Sequence, residues 1–177
     1  NPGKLVKPLR ERCRTLQTSY YSLNDLKEII RRAGIKYNMN LVQDDDALTL
    51  LAQSSRGTPR TALIHRLDML RKYLAVENKP YSLDSVEEML VNNGINEWGL
   101  EPNDIKYCEV LYDKLQDGNN KGISKRALSQ ATGFDDDMVD LIESYLQMMN
   151  AIKIETHGRI LTSFGCELIG KIGRAHV

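Results

Sequence analysis

The residues best equipped for chemistry are arginines placed where a helix begins. In Ser55-Arg56-Gly57-Thr58-Pro59-Arg60 the glycine permits a tight turn, Thr58 can cap, and Pro59 suits a first helical turn, so Arg60 projects from that turn. A permanently charged guanidinium held there can bind two phosphate oxygens at once. An arginine beside an ordinary helix cap has the same pattern, and spacing alone does not separate the two readings. A second segment, Pro8-Leu9-Arg10-Glu11-Arg12-Cys13, puts Arg12 48 positions before Arg60 and reads equally as a basic loop on a solvated face. His65, His157 and His176 are scattered, with no acidic or cysteine partner at ligand spacing. No Ser/His/Asp arrangement is legible, so neither a metal site nor a nucleophilic triad is expected.

Helices must position these side chains. Leu26, Ile29, Ile30 and Ala33 recur at helical spacing after Asn24-Asp25. The run Asp44-Asp45-Asp46 favours the positive end of a second helix through Ala47, Leu48, Leu50 and Leu51. Thr58-Pro59 opens a long third helix through Leu63, Leu67, Leu70 and Leu74. Ser82 heads a fourth, ended by Asn92-Asn93-Gly94. The result is a four-helix unit from about Ser22 to Gly94. Residues 97–102 read as a linker. Helices are expected at about 103–116, 124–132 and 136–149. Short runs at 152–155 and 159–162 around Thr156-His157-Gly158 then predict a hairpin. Three helices followed by a two-stranded wing is the winged-helix pattern. Its third helix begins Asp135-Asp136-Asp137 and continues through Asp140 and Glu143, a sequence that phosphates repel.

Composition narrows the classes. The 24 basic and 24 acidic residues cancel, so bulk charge announces no nucleic-acid or membrane partner. Basic residues nevertheless dominate the front and acids the back. The three cysteines, Cys13, Cys108 and Cys166, are too widely spaced for a metal knuckle and fit a reducing cytoplasm. No apolar run approaches a membrane span of ~18 residues. The phosphate-loop pattern GxxxxGK[ST] occurs nowhere in the sequence, so this chain alone is expected not to hydrolyse ATP.

Taken together in order, these landmarks resemble the carboxy-terminal portion of the RuvB family, hexameric AAA+ motors that drive Holliday-junction branch migration. Pro8 to Cys13 is similar to the family's PLRxRF segment, Gly57-Thr58-Pro59-Arg60 to its Gly-Thr-Pro-Arg, and Tyr21 to the tyrosine that precedes its first lid helix. Trp98-Gly99-Leu100-Glu101 with Asp104 resembles its GLDExD-like junction, Glu143-Ser144-Tyr145-Leu146 its EPYL, and Gly158 to Thr162 its GRxxT. The resemblance implies a mainly α fold in three pieces: the tail of an AAA+ core at 1–19, an AAA+ helical lid domain at 20–98, and a winged-helix DNA-binding domain with a β-hairpin wing at 99–177. It implies that Arg12 is a catalytic arginine finger acting on a neighbouring subunit, that Tyr21 and Arg60 bind ATP, and that Arg159 in the wing binds DNA. For Tyr21 a core aromatic is the other reading, and for Arg159 a solubilising hairpin charge. ATP and Mg²⁺, a RuvA-like junction-binding partner, DNA as duplex or Holliday junction, a homo-hexamer and a cytoplasmic setting come with the resemblance. Cys13 stands where the family has phenylalanine, as in the Ser-Arg-Cys box of clamp loaders. Two of three wing arginines are replaced as well. A clamp-loader-like or helicase-loader ATPase and a non-enzymatic winged-helix adaptor therefore stay open.

Overall fold

The computed structural model describes residues 6–14, 18–118 and 122–175, with only the backbone of Arg10 and of residues 171–175. His176 and parts of the expected 1–19 segment lie outside the described residues. A short helix, α1 (Lys7–Arg12), carries Pro8 near its start and is exposed where its side chains are described. A basic loop is one of the two readings that the sequence allows there, and the segment is helical instead.

The first helical unit follows. α2 (Leu23–Lys36) begins one residue before the expected Asn24-Asp25 signal, because Ser22 and Asp25 form a reciprocal capping box. Ser22 Oγ accepts the Asp25 amide at 3.2 Å, and Asp25 Oδ2 accepts the Ser22 amide at 3.3 Å. A 3-10 turn (Leu41–Gln43) leads to α3 (Asp45–Gln53), capped by Asp44. The other oxygen of Asp44 accepts the Leu83 amide at 2.8 Å, joining the start of α3 to that of α5 (Leu83–Asn92).

Between them the long third helix departs from expectation. Its middle, Thr61–Leu67, is π-helical before it continues as α4 (Asp68–Glu77). A π segment widens the turn and shifts the phase of the side chains. Arg66 and Leu67, inside it, are both fully buried. The core gathers Leu26, Ile30, Leu51, Leu67, Leu70, Val86 and Met89. Burying each such side chain contributes roughly 2 kcal/mol.

The second unit runs through α6 (Pro102–Gln116), α7 (Lys125–Thr132) and α8 (Asp136–Met148). A hairpin of β1 (Ile152–Glu155) and β2 (Gly158–Leu161) comes next, with Ile152 opposite Leu161. Ile123 adds a one-residue bridge to Arg159, giving β2 a neighbour on each side. Gly158 makes that approach possible: its φ is +146°, and a Cβ there would lie 2.5 Å from the Ile123 carbonyl oxygen.

After the wing comes α9 (Ser163–Ala175), a helix that the sequence reading did not contain. Gly165, Gly170 and Gly173 lower its intrinsic propensity, and tertiary packing of Leu168 and Ile169 overrides that. Leu100, Tyr107, Cys108, Leu128, Val139 and Leu146 share this second core. Among the described residues no helix is long and apolar enough to cross a membrane.

Candidate functional site

The turn before Arg60 is built tightly. Thr58 Oγ1 accepts the Thr61 amide at 3.3 Å and the Thr61 hydroxyl lies 2.8 Å away, fixing the helix start. Arg60 is exposed on that first turn. The Tyr21 amide donates to the Gly57 carbonyl at 3.0 Å, so the chain entering α2 is clipped to the turn that presents Arg60. Tyr21 is itself half exposed, a surface aromatic and not a core one. Arg12 stands exposed on α1, and among the described residues no hydrogen bond or ion pair joins it to Tyr21 or Arg60. The structure thus brings two of the expected nucleotide-binding residues to one turn and leaves Arg12 outward.

Arg60 lines a cleft of about 500 Å³ whose two walls come from the two units: Tyr20, Arg56 and His65 on one side, Glu101, Ser144 and Tyr145 on the other. Three of its lining residues, Arg56, Glu101 and Tyr145, belong to a cluster that sequence reasoning did not single out. The Arg56 guanidinium meets Asp104 Oδ1 at 3.1 Å and sits 4.1 Å above the Tyr145 ring. Arg66, wholly buried, donates to the Ser54 carbonyl at 2.9 Å, to the His65 carbonyl at 3.1 Å and to Glu101 at 3.3 Å. The Tyr145 hydroxyl donates to the Trp98 carbonyl. Burial pushes the Asp104 carboxyl above its ordinary range, while Arg56 pulls it back down. Burial likewise lowers the Arg66 pKa, opposed by Glu101. The sequence signal was present in part, since Arg56, Glu101, Asp104 and Tyr145 all fall inside motif segments. Nothing in their spacing said that they meet.

Arg159 is turned inward onto Glu143 of α8 through two parallel contacts, Nε to Oε1 at 2.7 Å and Nη2 to Oε2 at 3.2 Å. The Tyr107 hydroxyl donates to the same carboxylate at 2.9 Å. Glu143 holds the Arg159 pKa above its ordinary value, and burial foremost, with Glu143, raises the Tyr107 phenol. Lys125 pairs with Asp140. Lys106 donates to the Thr132 carbonyl at 2.8 Å beneath the Phe134 ring. Arg126 and Lys153 remain exposed on this unit. Among the described residues no group of three or more His, Cys, Asp or Glu gathers to hold a metal ion.

Comparison with known proteins places this geometry. Residues 97–170 match the family RuvB C-terminal winged helix domain. The Holliday junction branch migration complex subunit RuvB of Campylobacter hominis is 30% identical over 171 residues, 95% of this chain and 48% of that protein. Its counterpart in Chlamydia pneumoniae is 35% identical over 163 residues, 90% of this chain and 47% of that protein. The chain thus spans about half the length of the curated relatives that it matches. Among solved structures, the Thermotoga maritima RuvB Holliday junction branch migration motor superposes with a TM-score of 0.83 at 27% identity, over 96% of this chain and 56% of that one.

Proposed function

The chain belongs to the RuvB family, and from that premise we propose that it works as the lid and winged-helix portion of an ATP-driven motor that moves Holliday junctions. The observation that carries this reading is Arg60: an exposed guanidinium with no ion-pair partner among the described residues, on a capped helix start, with Tyr21 clipped to the same turn. In this reading residues 20–98 are the lid and 99–177 the winged domain. Arg60 and Tyr21 contact the nucleotide of their own subunit. Arg12 projects to the neighbouring subunit of a homo-hexamer, where an arginine stabilises the charge that develops on the γ-phosphate. A finger has no target within its own chain, which accords with an exposed Arg12. ATP supplies the phosphoryl group and Mg²⁺ its counter-charge, both held chiefly by a phosphate loop that this sequence does not contain. The setting is the cytoplasm, with a RuvA-like protein holding the junction.

The test uses mixed subunits of an assembled motor. Arg12→Ala should cut hydrolysis about a thousandfold while nucleotide still binds. Mixing those subunits with phosphate-loop-dead ones should recover activity wherever an intact finger meets an intact pocket. Assembled mixtures that stay inactive would remove the finger role. The 177-residue chain alone should release no phosphate from ATP.

The acidic start of α8 and the inward Arg159 favour a second reading, a winged-helix adaptor that docks protein. Duplex titration separates them. A motor domain that touches one or two phosphates gives a salt slope of about 1–2 in log–log form. A chain that binds neither duplex nor four-way junction at low salt is the adaptor.

A further inference from the structure

The segments that carry the family resemblance converge in space, and nucleotide or DNA binding accounts for only part of them. Arg56 comes from the turn before Arg60, Glu101 and Asp104 from the start of α6, and Tyr145 from α8. They meet at one boundary between the two hydrophobic cores. We infer that Arg56 and Arg66 clamp the two helical units into a single lever, with Arg56 the positioning residue that ties the Arg60 turn to α8 and, through α8, to the wing.

Four observations carry this. Arg56 is a non-glycine residue at φ +55°, a conformation that persists only where the surroundings over-determine it. Its guanidinium is used twice, in plane by Asp104 and by its face on Tyr145, a pairing that a flexible ammonium does not reproduce. Arg66 crosses the boundary from the π-helical stretch of the first unit, and its three hydrogen bonds include one to Glu101 of the second. The backbones also interlock: at Gly99, φ +75°, a Cβ would stand 2.3 Å from the Ser54 carbonyl oxygen. Two units joined by a short linker ordinarily move relative to each other unless the interface holds them. Here oriented, largely satisfied polar contacts do so, which is the setting in which buried ion pairs fix register.

From the clamp a path continues within α8. Glu143, two residues before Tyr145, holds Arg159 of β2 and accepts Tyr107 of α6. A displacement at the Arg60 turn therefore reaches the wing through side chains that each have a defined partner at both ends. That the displacement comes from ATP hydrolysis rests on the motor reading above; the clamp itself does not.

The 177-residue chain tests it without nucleotide or DNA, so its failure and that of the motor reading are separate. Backbone ¹⁵N relaxation gives the tumbling time of each unit. The unsubstituted chain should show one shared time. In Arg56→Ala the two times should separate and shorten by about twofold, each unit holding roughly half the mass. Arg56→Lys should restore shared tumbling in part, since the charge returns without the planar face. If Arg56→Ala loses the dispersed amide spectrum of the first unit, Asp104→Asn on the other side of the boundary is read instead, with the same separation expected. Independent tumbling in the unsubstituted chain overturns the clamp. So does shared tumbling that survives both Arg56→Ala and Asp104→Asn.

Discussion

Two glutamates in this chain receive arginine in nearly the same way and in opposite surroundings. Glu28 on α2 accepts Arg31 through Nε and Nη2, both at 2.7 Å, with Arg32 Nε at 2.5 Å as a third contact. Glu143 on α8 accepts Arg159 through Nε and Nη2 at 2.7 and 3.2 Å, with Tyr107 as its third donor. The side chains of Glu28 and Arg31 are 39% and 40% exposed, those of Glu143 and Arg159 6% and 16%. Hydrogen-bond geometry is therefore not what sets them apart. Water reaches the first cluster and repays any lost contact, whereas in the second a missing partner leaves a charge that nothing else can solvate. Like geometry predicts unlike energetics.

The largest test of that contrast is Glu143→Ala. Removing the acceptor strands Arg159 and the Tyr107 hydroxyl, and breaking a buried pair from one side costs about 3–5 kcal/mol. Urea unfolding followed by tyrosine fluorescence reads it. A loss under about 1 kcal/mol would mean that Arg159 finds water or another partner, and would return it to the list of residues free to meet phosphate.

Arg159→Ala should cost less, about 2 kcal/mol, because Glu143 keeps the Tyr107 hydroxyl and lies nearer the surface once the arginine is gone. Arg60→Ala, exposed and without an ion pair among the described residues, should change stability by no more than about 0.5 kcal/mol. If the two arginine variants destabilise equally, the distinction between an arginine held ready and one spent on structure fails.

The same division between open and enclosed groups extends to the thiols. Cys13 is exposed, while Cys108 is buried beside Asp104 with its thiol pushed up to about 12. At pH 8 the native chain should label at Cys13 faster than at Cys108 by on the order of a hundredfold. Equal rates would show that the second core opens readily.

The smallest effect belongs to Glu28. Hydrogen bonds from Arg31 and then Arg32 lower its carboxyl from 4.5 to about 2. A depressed folded pKa stabilises above the unfolded value and loses that contribution as pH falls through the folded one. Any support from this cluster is thus complete above pH 4.5 and gone below about 2. Carboxyl NMR should find the midpoint below its ordinary value, and Glu28→Ala at pH 7 should lower the unfolding midpoint less than Arg159→Ala does, because water screens this exposed cluster. A midpoint near 4.5 would mean that the cluster does not form in solution.

These cases also mark what the sequence could reveal. Helix and hairpin positions followed from apolar spacing and caps, and α6 to α8 lie within a residue or so of expectation. α9 escaped because its glycines mask a helix that only packing stabilises. The motif arginines were identifiable by type, yet whether each points outward is decided by contacts distant in sequence. Arg159 reaches Glu143 across 16 residues and Arg56 reaches Asp104 across 48, separations that no local pattern encodes. Arg66 was invisible for another reason: it falls on the apolar face between Leu63 and Leu70, and nothing in that spacing names the distant Ser54 carbonyl and Glu101 that satisfy it there.

Arg66 points to a property of the π-helical stretch Thr61–Leu67. An α-helix advances about 100° of azimuth for each residue. A π turn closes its hydrogen bonds from i to i+5 and so holds an extra residue; deleting one residue between Thr61 and Leu67 would let the stretch close as ordinary α-helix while Arg60 and α4 keep nearly the same relative direction. The two ends would stay in phase, and only the residues between them would change face. The extra residue therefore gives side chains inside the stretch positions that an unbroken helix between the same two ends would not give them.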